Sequence, residues 1–331
     1  MKILYFTSKV DPLYASNWSM VYTLEKYADV KYFGPGWPSW RGGTSPAPMS
    51  IDVPSVIERL YPGDYPDVVF AWGIHTGGLF PLLKGLEEAR CLRVIWLLEL
   101  ANDIMRPEIY NFLSSGGADL VLKSHDYNNT SEWGVRLNRL DIPVEWYPFS
   151  IDPEMFYDRV LPRTYDVCNI GQMTDQNYPL RYAIHQMFED QSEIKYFGSP
   201  TKPYTKYLLG EEYASAICRS KIFATDCTSH RFAVPKLTEA MGCNVLLMCN
   251  SPRSADVLGM KAGTNFVDFK DPAMQACDVD RQKIEDTIRF YLDNWESEGR
   301  KIAQRGYELV HSRHTHDIRA KDIIGKISKY L

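Results

Sequence analysis

Short apolar runs alternate with helix-patterned segments along nearly the whole chain, and residues 221–250 show the pattern most sharply. Residues 221–225 read as a strand, the stretch with the Pro235-Lys236 pair and Glu239 as a short helix that ends in a Gly242-Cys243 turn, and 245–248 (Val-Leu-Leu-Met) as a strand with no polar position. A run that is apolar at every position suits a strand covered on both faces. Strands of this kind, separated by helices, build a parallel α/β sheet.

The same pattern runs through both halves. In the first, strands are predicted over 2–7, 30–33, 67–71, 92–98, 118–122 and 144–147, with helices over 17–28, 52–60 and 106–113. Residues 148–153 read as a linker. The second half restarts with strands over 165–170, 194–197, 221–225, 245–248 and 265–269, and helices over 178–190 and 209–219. Three closing helices follow, from about 280, 298 and 316. A chain of 331 residues is long for one core and comfortable for two. The expected domains are 1–150 and 151–331, with the last helices free to pack back on the first domain.

In parallel sheets, ligands bind beyond the carboxyl ends of the strands. Those ends carry His75, Glu99 with Asp103, and Lys123 with His125 in the first half. An irregular Gly- and Pro-rich stretch over 34–48 adds Trp37, Trp40 and Arg41. Rings on such a loop stack on a sugar or a base, or they pin the loop to its domain; both readings stay open.

The net charge of −5 argues weakly against electrostatic binding of nucleic acid, although a local basic groove fits inside an acidic total. The N-terminal apolar run of five residues is too short for a secretion leader, and no stretch is long enough to span a membrane. The expected compartment is the cytoplasm. The seven cysteines are scattered, odd in number and without a C-x-x-C pair, so buried thiols are expected rather than disulfides or zinc. His311, His314, His316 and Asp317 are poorly spaced for a metal and read as a helix junction. No metal site is expected.

Two such domains with a helical C-terminus resemble the GT-B glycosyltransferases, in which two Rossmann-like, doubly wound parallel sheets face a cleft. The second half carries the detailed likeness. Asn169-Ile170-Gly171, Tyr196-Phe197-Gly198 and Ser220-Lys221-Ile222 look like successive strand ends of the donor domain. Pro235-Lys236-Leu237-Thr238-Glu239-Ala240-Met241-Gly242-Cys243 is similar to the K-x-x-E-A-x-x-C/A-G helix of retaining enzymes. Residues 258–269 resemble the strand that follows. Gly306 and Val310, His314-Thr315 and Arg319-Ala320 resemble the G-x-x-x-V…H-T…R-A end of the spore-maturation, CgeB-like branch. The likeness covers roughly residues 165–325; the first half matches by architecture alone. One position departs from the pattern. Retaining relatives often carry two glutamates separated by seven residues; Glu239 is the second, and Arg231 stands at the first. Arginine accepts no hydrogen bond but pairs with phosphate.

The resemblance implies a retaining, metal-independent hexosyl- or pentosyltransferase. It would move sugar from a nucleotide-diphosphate sugar, such as a UDP-sugar, to an acceptor hydroxyl, with no further cofactor. Departure of a nucleoside diphosphate builds negative charge, which cations and helix N-termini must neutralise. Arg181, Arg231 and Lys236 are the candidates on the donor side. Glu239 would accept from the ribose hydroxyls, Gly171 would admit the diphosphate to the backbone, and Asn250 and Ser251 could donate to it. His75, Glu99 and Asp103 are the catalytic candidates, either carboxylate being able to take the acceptor proton. Trp37, Trp40 and Arg41 are the acceptor-side candidates. The acceptor itself stays open among a glycan, a protein, a small molecule and modified DNA, since some phage relatives are associated with glycosylating hydroxymethylated bases. A nucleotide-sugar epimerase and a non-catalytic nucleotide-sugar-binding protein are the rival readings.

Overall fold

The computed structural model describes residues 1–9, 19–40, 50–72, 83–97, 107–126, 132–198, 208–270 and 278–331. The chain divides into two compact units. The bulk of the first is Met20–Pro148, joined by the first strand and by Arg319–Leu331; the bulk of the second is Phe149–Ile318.

The first unit contains β1 (Lys2–Phe6), α1 (Ser19–Thr23), β2 (Asp29–Phe33), β3 (Ile51–Asp52), α2 (Val53–Leu60), β4 (Val68–Trp72), β5 (Leu83–Lys84), β6 (Leu92–Leu97), α3 (Pro107–Ser114), β7 (Leu120–Lys123), α4 (Glu132–Asn138) and β8 (Val144–Trp146). Six strands form a parallel sheet in the order β2-β1-β4-β6-β7-β8, and β3 pairs with β5 apart from it. Helix α2 starts where the side chain of Asp52 accepts from Ser55 N at 3.0 Å and Pro54 occupies the first turn. Its apolar face, Val53, Val56 and Ile57, packs with Leu4, Phe6, Val69 and Ile95 in one core cluster. The tail belongs here through Arg319 Nε, which donates to Pro148 O at 3.1 Å, and Lys326 Nζ, which donates to Trp146 O at 2.8 Å.

The second unit contains β9 (Tyr165–Asn169), α5 (Pro179–Phe188), β10 (Tyr196–Gly198), α6 (Gly210–Cys218), β11 (Ser220–Ala224), α7 (Pro235–Gly242), β12 (Leu246–Cys249), α8 (Ala255–Leu258) and β13 (Val267–Asp268). Then come α9 (Arg281–Asp293), a π-helical turn over Trp295–Gly299, α10 (Arg300–Arg313) and the start of α11 (His316–Ile327), whose residues from Arg319 onward belong to the first unit. Its parallel sheet runs β10-β9-β11-β12-β13. All four residues of β12 are buried, as its unbroken apolar run requires. Val167, Ile184, Phe188, Ile222, Leu246 and Ile288 form part of the core, each contributing about 1.5–3 kcal/mol by leaving water.

Numbered within its own sheet, each unit has its strands in the order 2-1-3-4-5, the first adding a sixth. The winding reverses beside the first strand, and in open α/β sheets ligands bind at the carboxyl edge of such a point. In the second unit that point lies between β9 and β11. Helix α7, which follows β11, is held from outside by α10. A Cβ built on Gly306 of α10 would stand 2.7 Å from Asn265 O and 3.1 Å from Met241 Cγ, so only glycine permits this approach.

The tail histidines act as a junction. His311 Nε2 bonds Gly242 O (3.1 Å), His314 Nε2 bonds Leu258 O (2.8 Å) and His316 Nδ1 bonds Ser150 Oγ (2.8 Å). Each ring is turned to a different partner. Among the described residues no helix is long and apolar enough to cross a membrane.

Candidate active site

The candidate site of the second unit grows from the ends of β9 and β11. Strand β9 delivers Asn169, and the chain turns at Gly171 with φ of +131°, a conformation that favours glycine. A Cβ there would lie 2.5 Å from Lys236 Cε and 3.0 Å from Arg181 Nη1. The bare backbone of Gly171 is therefore flanked by two cations.

Arg181 sits on α5, which is entered through Pro179. Its Nε donates to Thr225 Oγ1 (3.1 Å), its Nη1 to Gln172 O (2.9 Å), and its Nη2 lies 3.4 Å from Asp226 Oδ1. Asp226 Oδ2 also accepts from the Arg181 backbone N–H at 3.1 Å. Burial raises the Asp226 carboxyl above 3.8, and Arg181 opposes that shift. Asn169 Nδ2 donates to Arg181 O at 2.8 Å. The guanidinium is thus engaged by the protein itself and forms the wall behind Gly171.

Helix α7 also enters through a proline, and its next residue is Lys236. One turn on, Glu239 is 3% exposed. Residues at i and i+3 share one helix face. Tyr213 of α6 meets both: its hydroxyl donates to Glu239 Oε2 at 2.8 Å, and Lys236 Nζ lies 3.5 Å from that hydroxyl and 5.1 Å from the ring centre. Burial holds the Lys236 amine below its usual 10.5, with Glu239 opposing. Burial, reinforced by the Glu239 charge, pushes the Tyr213 phenol well above 10, so it stays a donor.

A second group ties two loops together. Arg231, at φ of +57°, donates from Nε and Nη2 to Ser251 O at 2.9 and 2.7 Å. Arg253 Nε returns a bond to His230 O at 3.1 Å. Asn250 Oδ1 accepts from Cys227 N at 2.8 Å, and Ser251 Oγ donates to Asp268 Oδ2 at 2.6 Å.

The structure therefore gathers Gly171, Arg181, Lys236 and Glu239 at the switch point, and groups Arg231, Asn250 and Ser251 in the neighbouring loop clasp. Tyr213, Thr225 and Asp226 belong to the first cluster without any sequence motif to announce them. In the first unit, Trp37 stacks on Tyr32 (4.2 Å, 8°) and donates to Thr7 O at 3.0 Å, while Trp40 packs edge-on to Phe33 at 5.3 Å. These contacts pin the two rings to their domain. His75, Glu99, Asp103 and Arg41 lie outside the described residues. Of the polar strand ends, Lys123 and the buried His125 are described; burial, opposed by Asp126, brings the Lys123 amine down to about 8.

Residues 170–325 match the family model described as glycosyl transferase-like. No curated protein matches the chain in sequence. Among solved structures it is similar to Anabaena Alr3699/HepE in complex with UDP and glucose, at 12% identity over 99% of each chain with a TM-score of 0.58. It is similar to a glycosyltransferase from Rickettsia africae ESF-5, at 10% identity over 100% of this chain and 98% of that one, with a TM-score of 0.61. Sucrose-phosphate synthase from Thermosynechococcus elongatus matches at 11% identity over 99% and 98%, with a TM-score of 0.58. The fold is the mixed α/β GT-B arrangement of these glycosyltransferase structures. The family match and the fold together support a glycosyltransferase.

Proposed function

We propose that this chain transfers a hexosyl or pentosyl group from a UDP-sugar to an acceptor hydroxyl, with retention and without a metal. The observation that carries the reading is the bare backbone at Gly171, set against Lys236 at a topological switch point. A diphosphate seated there meets backbone and an ammonium at once. Glu239, one turn along α7, would accept from ribose hydroxyls in this reading. The UDP and UDP-glucose held by Alr3699/HepE favour uridine as the base.

In the proposed reaction the bond from the sugar anomeric carbon to the β-phosphate oxygen breaks, and its electron pair leaves with the diphosphate. Lys236 and the start of α7 stabilise that charge. The acceptor oxygen bonds the anomeric carbon on the face just vacated, and its proton passes to the departing phosphate. The tail motif from Gly306 to Ala320 favours the CgeB-like branch, and a cytoplasmic setting is part of the same proposal.

The test is calorimetric titration with UDP, followed by transfer assays over a panel of sugar acceptors. Lys236→Ala and Glu239→Ala are expected to lose UDP binding and transfer while keeping their thermal unfolding transition. Unchanged UDP affinity in both variants overturns the reading.

A further inference from the structure

We propose that Arg231 and Arg253 form an anion site beside the diphosphate site, and that it selects a donor whose transferred sugar carries a carboxylate, a UDP-uronic acid. The proposal rests on reading Gly171 and Lys236 as the diphosphate site.

The two arginines are held by one another's loops. Arg231 donates from Nε and Nη2 to Ser251 O, Arg253 N donates to Arg231 O at 3.0 Å, and Arg253 Nε donates to His230 O. These bonds occupy one edge of the Arg231 fork and one nitrogen of the Arg253 side chain. A guanidinium carries its N–H donors in a planar fork, so the Nη1 end of Arg231 and the terminal nitrogens of Arg253 remain for another acceptor. Both residues are exposed, and among the described residues no carboxylate pairs with either. Asp268, the carboxylate nearest the clasp, is turned elsewhere: Oδ1 accepts from Ser251 N and Lys270 N, and Oδ2 accepts from Ser251 Oγ. Tying two loops together needs donors but no charge. Two cations without a counter-charge in one clasp point to an anionic ligand.

The backbone is strained at the same place. Thr228 and Arg231 both take the left-handed conformation, with φ of +64° and +57°. Residues other than glycine are uncommon there and gather at ligand clamps.

The position of the clasp matches the sugar better than the diphosphate. The clasp joins the loops after β11 and β12, and Ser229 N donates to Asn177 O at 3.1 Å, which ties it to the loop that leaves Gly171. Neighbouring strands lie about 4.8 Å apart, so the end of β12 stands about 10 Å from that of β9 across β11. A diphosphate over Gly171 leaves that distance to be spanned by the sugar it carries. A carboxylate on the sugar then meets the open end of the Arg231 fork with two parallel bonds, the arrangement in which arginine binds carboxylates most strongly.

The experiment is calorimetric titration of the full chain with UDP, UDP-glucose and UDP-glucuronate. Wild type is expected to bind UDP-glucuronate about fivefold or more tighter than UDP-glucose, the worth of one charge pair at an open rim. In Arg231→Gln that preference should fall below about twofold, with the affinities for UDP and UDP-glucose kept within about twofold. Arg253→Gln should lower the preference in the same direction and serves as the test if Arg231→Gln does not fold. Arg231→Lys keeps the charge and should keep more of the preference than Arg231→Gln; the reverse order overturns the charge argument. Equal binding of the two sugars by wild type overturns the proposal, as does a preference undiminished in both glutamine variants. An equal fall for all three ligands in Arg231→Gln also overturns it, because the arginine then serves the diphosphate or the fold. A wild-type protein that binds no UDP overturns the donor-site reading itself, which separates that failure from a failure at the clasp.

Discussion

Arg181 Nη2 and Asp226 Oδ1 lie 3.4 Å apart, with side chains only 2% and 1% exposed. The pair spans α5 and the end of β11, and the carboxylate also receives the Arg181 backbone N–H. Removing one partner leaves a buried charge uncompensated, which costs more than the pair contributes. Asp226→Ala is expected to lower stability by about 3–5 kcal/mol in denaturant unfolding. Arg181→Met with Asp226→Leu should recover more than half of that loss, because neither charge is then stranded. A double variant no more stable than Asp226→Ala would show that the charge pair is not what the site depends on.

Gly171→Ala tests the close approach directly. The new methyl meets Lys236 Cε at 2.5 Å, and the backbone at φ of +131° resists any side chain. Lys236 can swing aside; the buried Arg181 cannot. The expected result is a stability loss of about 1–3 kcal/mol from backbone strain. UDP affinity should fall by more than tenfold as well, because the displaced Lys236 no longer faces the diphosphate. Thermal unfolding and calorimetry read the two effects separately.

The alternation of elements was legible because buried parallel strands are written as unbroken apolar runs, and β12 is the plainest case. The β3–β5 pair escaped, since two residues per strand carry no period. A helix expected over 17–28 is described from Ser19 only to Thr23, and a tighter turn takes Leu24–Lys26. Neither stop is marked by Gly or Pro. That Lys236 and Glu239 share one helix face was legible from the helix start at Pro235 and from the K-x-x-E likeness. Tyr213 was not: it stands 26 residues before Glu239 on another helix, and only the packing of α6 beside α7 brings them together. Arg181 shows the converse. Its residue type suggests phosphate, yet Asp226, 45 residues later, already answers its charge.

Gly306→Ala sets two effects against each other. Alanine in a helix interior is favoured over glycine by about 1 kcal/mol. Here the methyl would sit 2.7 Å from the backbone oxygen of Asn265, which cannot rotate away, and 3.1 Å from the flexible Met241. Overpacking of this kind costs about 1–3 kcal/mol. The backbone oxygen cannot yield, so the clash should win, giving a net loss of up to about 2 kcal/mol in denaturant unfolding and a shift of α7 that weakens UDP binding. A stabilised variant would mean that α10 can back away from α7 without cost.

The Lys236 amine gives the site a pH dependence of definite sign. Burial favours the neutral amine, so the folded protein releases this proton below the ordinary value of 10.5. Between the folded value and 10.5 the unfolded chain holds more protons, and the contribution of Lys236 to stability rises with pH across that window. Binding runs the other way. The diphosphate needs the ammonium, so UDP affinity should be full below the folded value and fall as pH rises through it. Titrations from neutral pH upward should therefore show affinity declining before 10.5 is reached. In Lys236→Arg the guanidinium keeps its charge throughout, and the alkaline decline should disappear even if the affinity at neutral pH is reduced. A decline that persists unchanged in Lys236→Arg would assign the titrating group elsewhere.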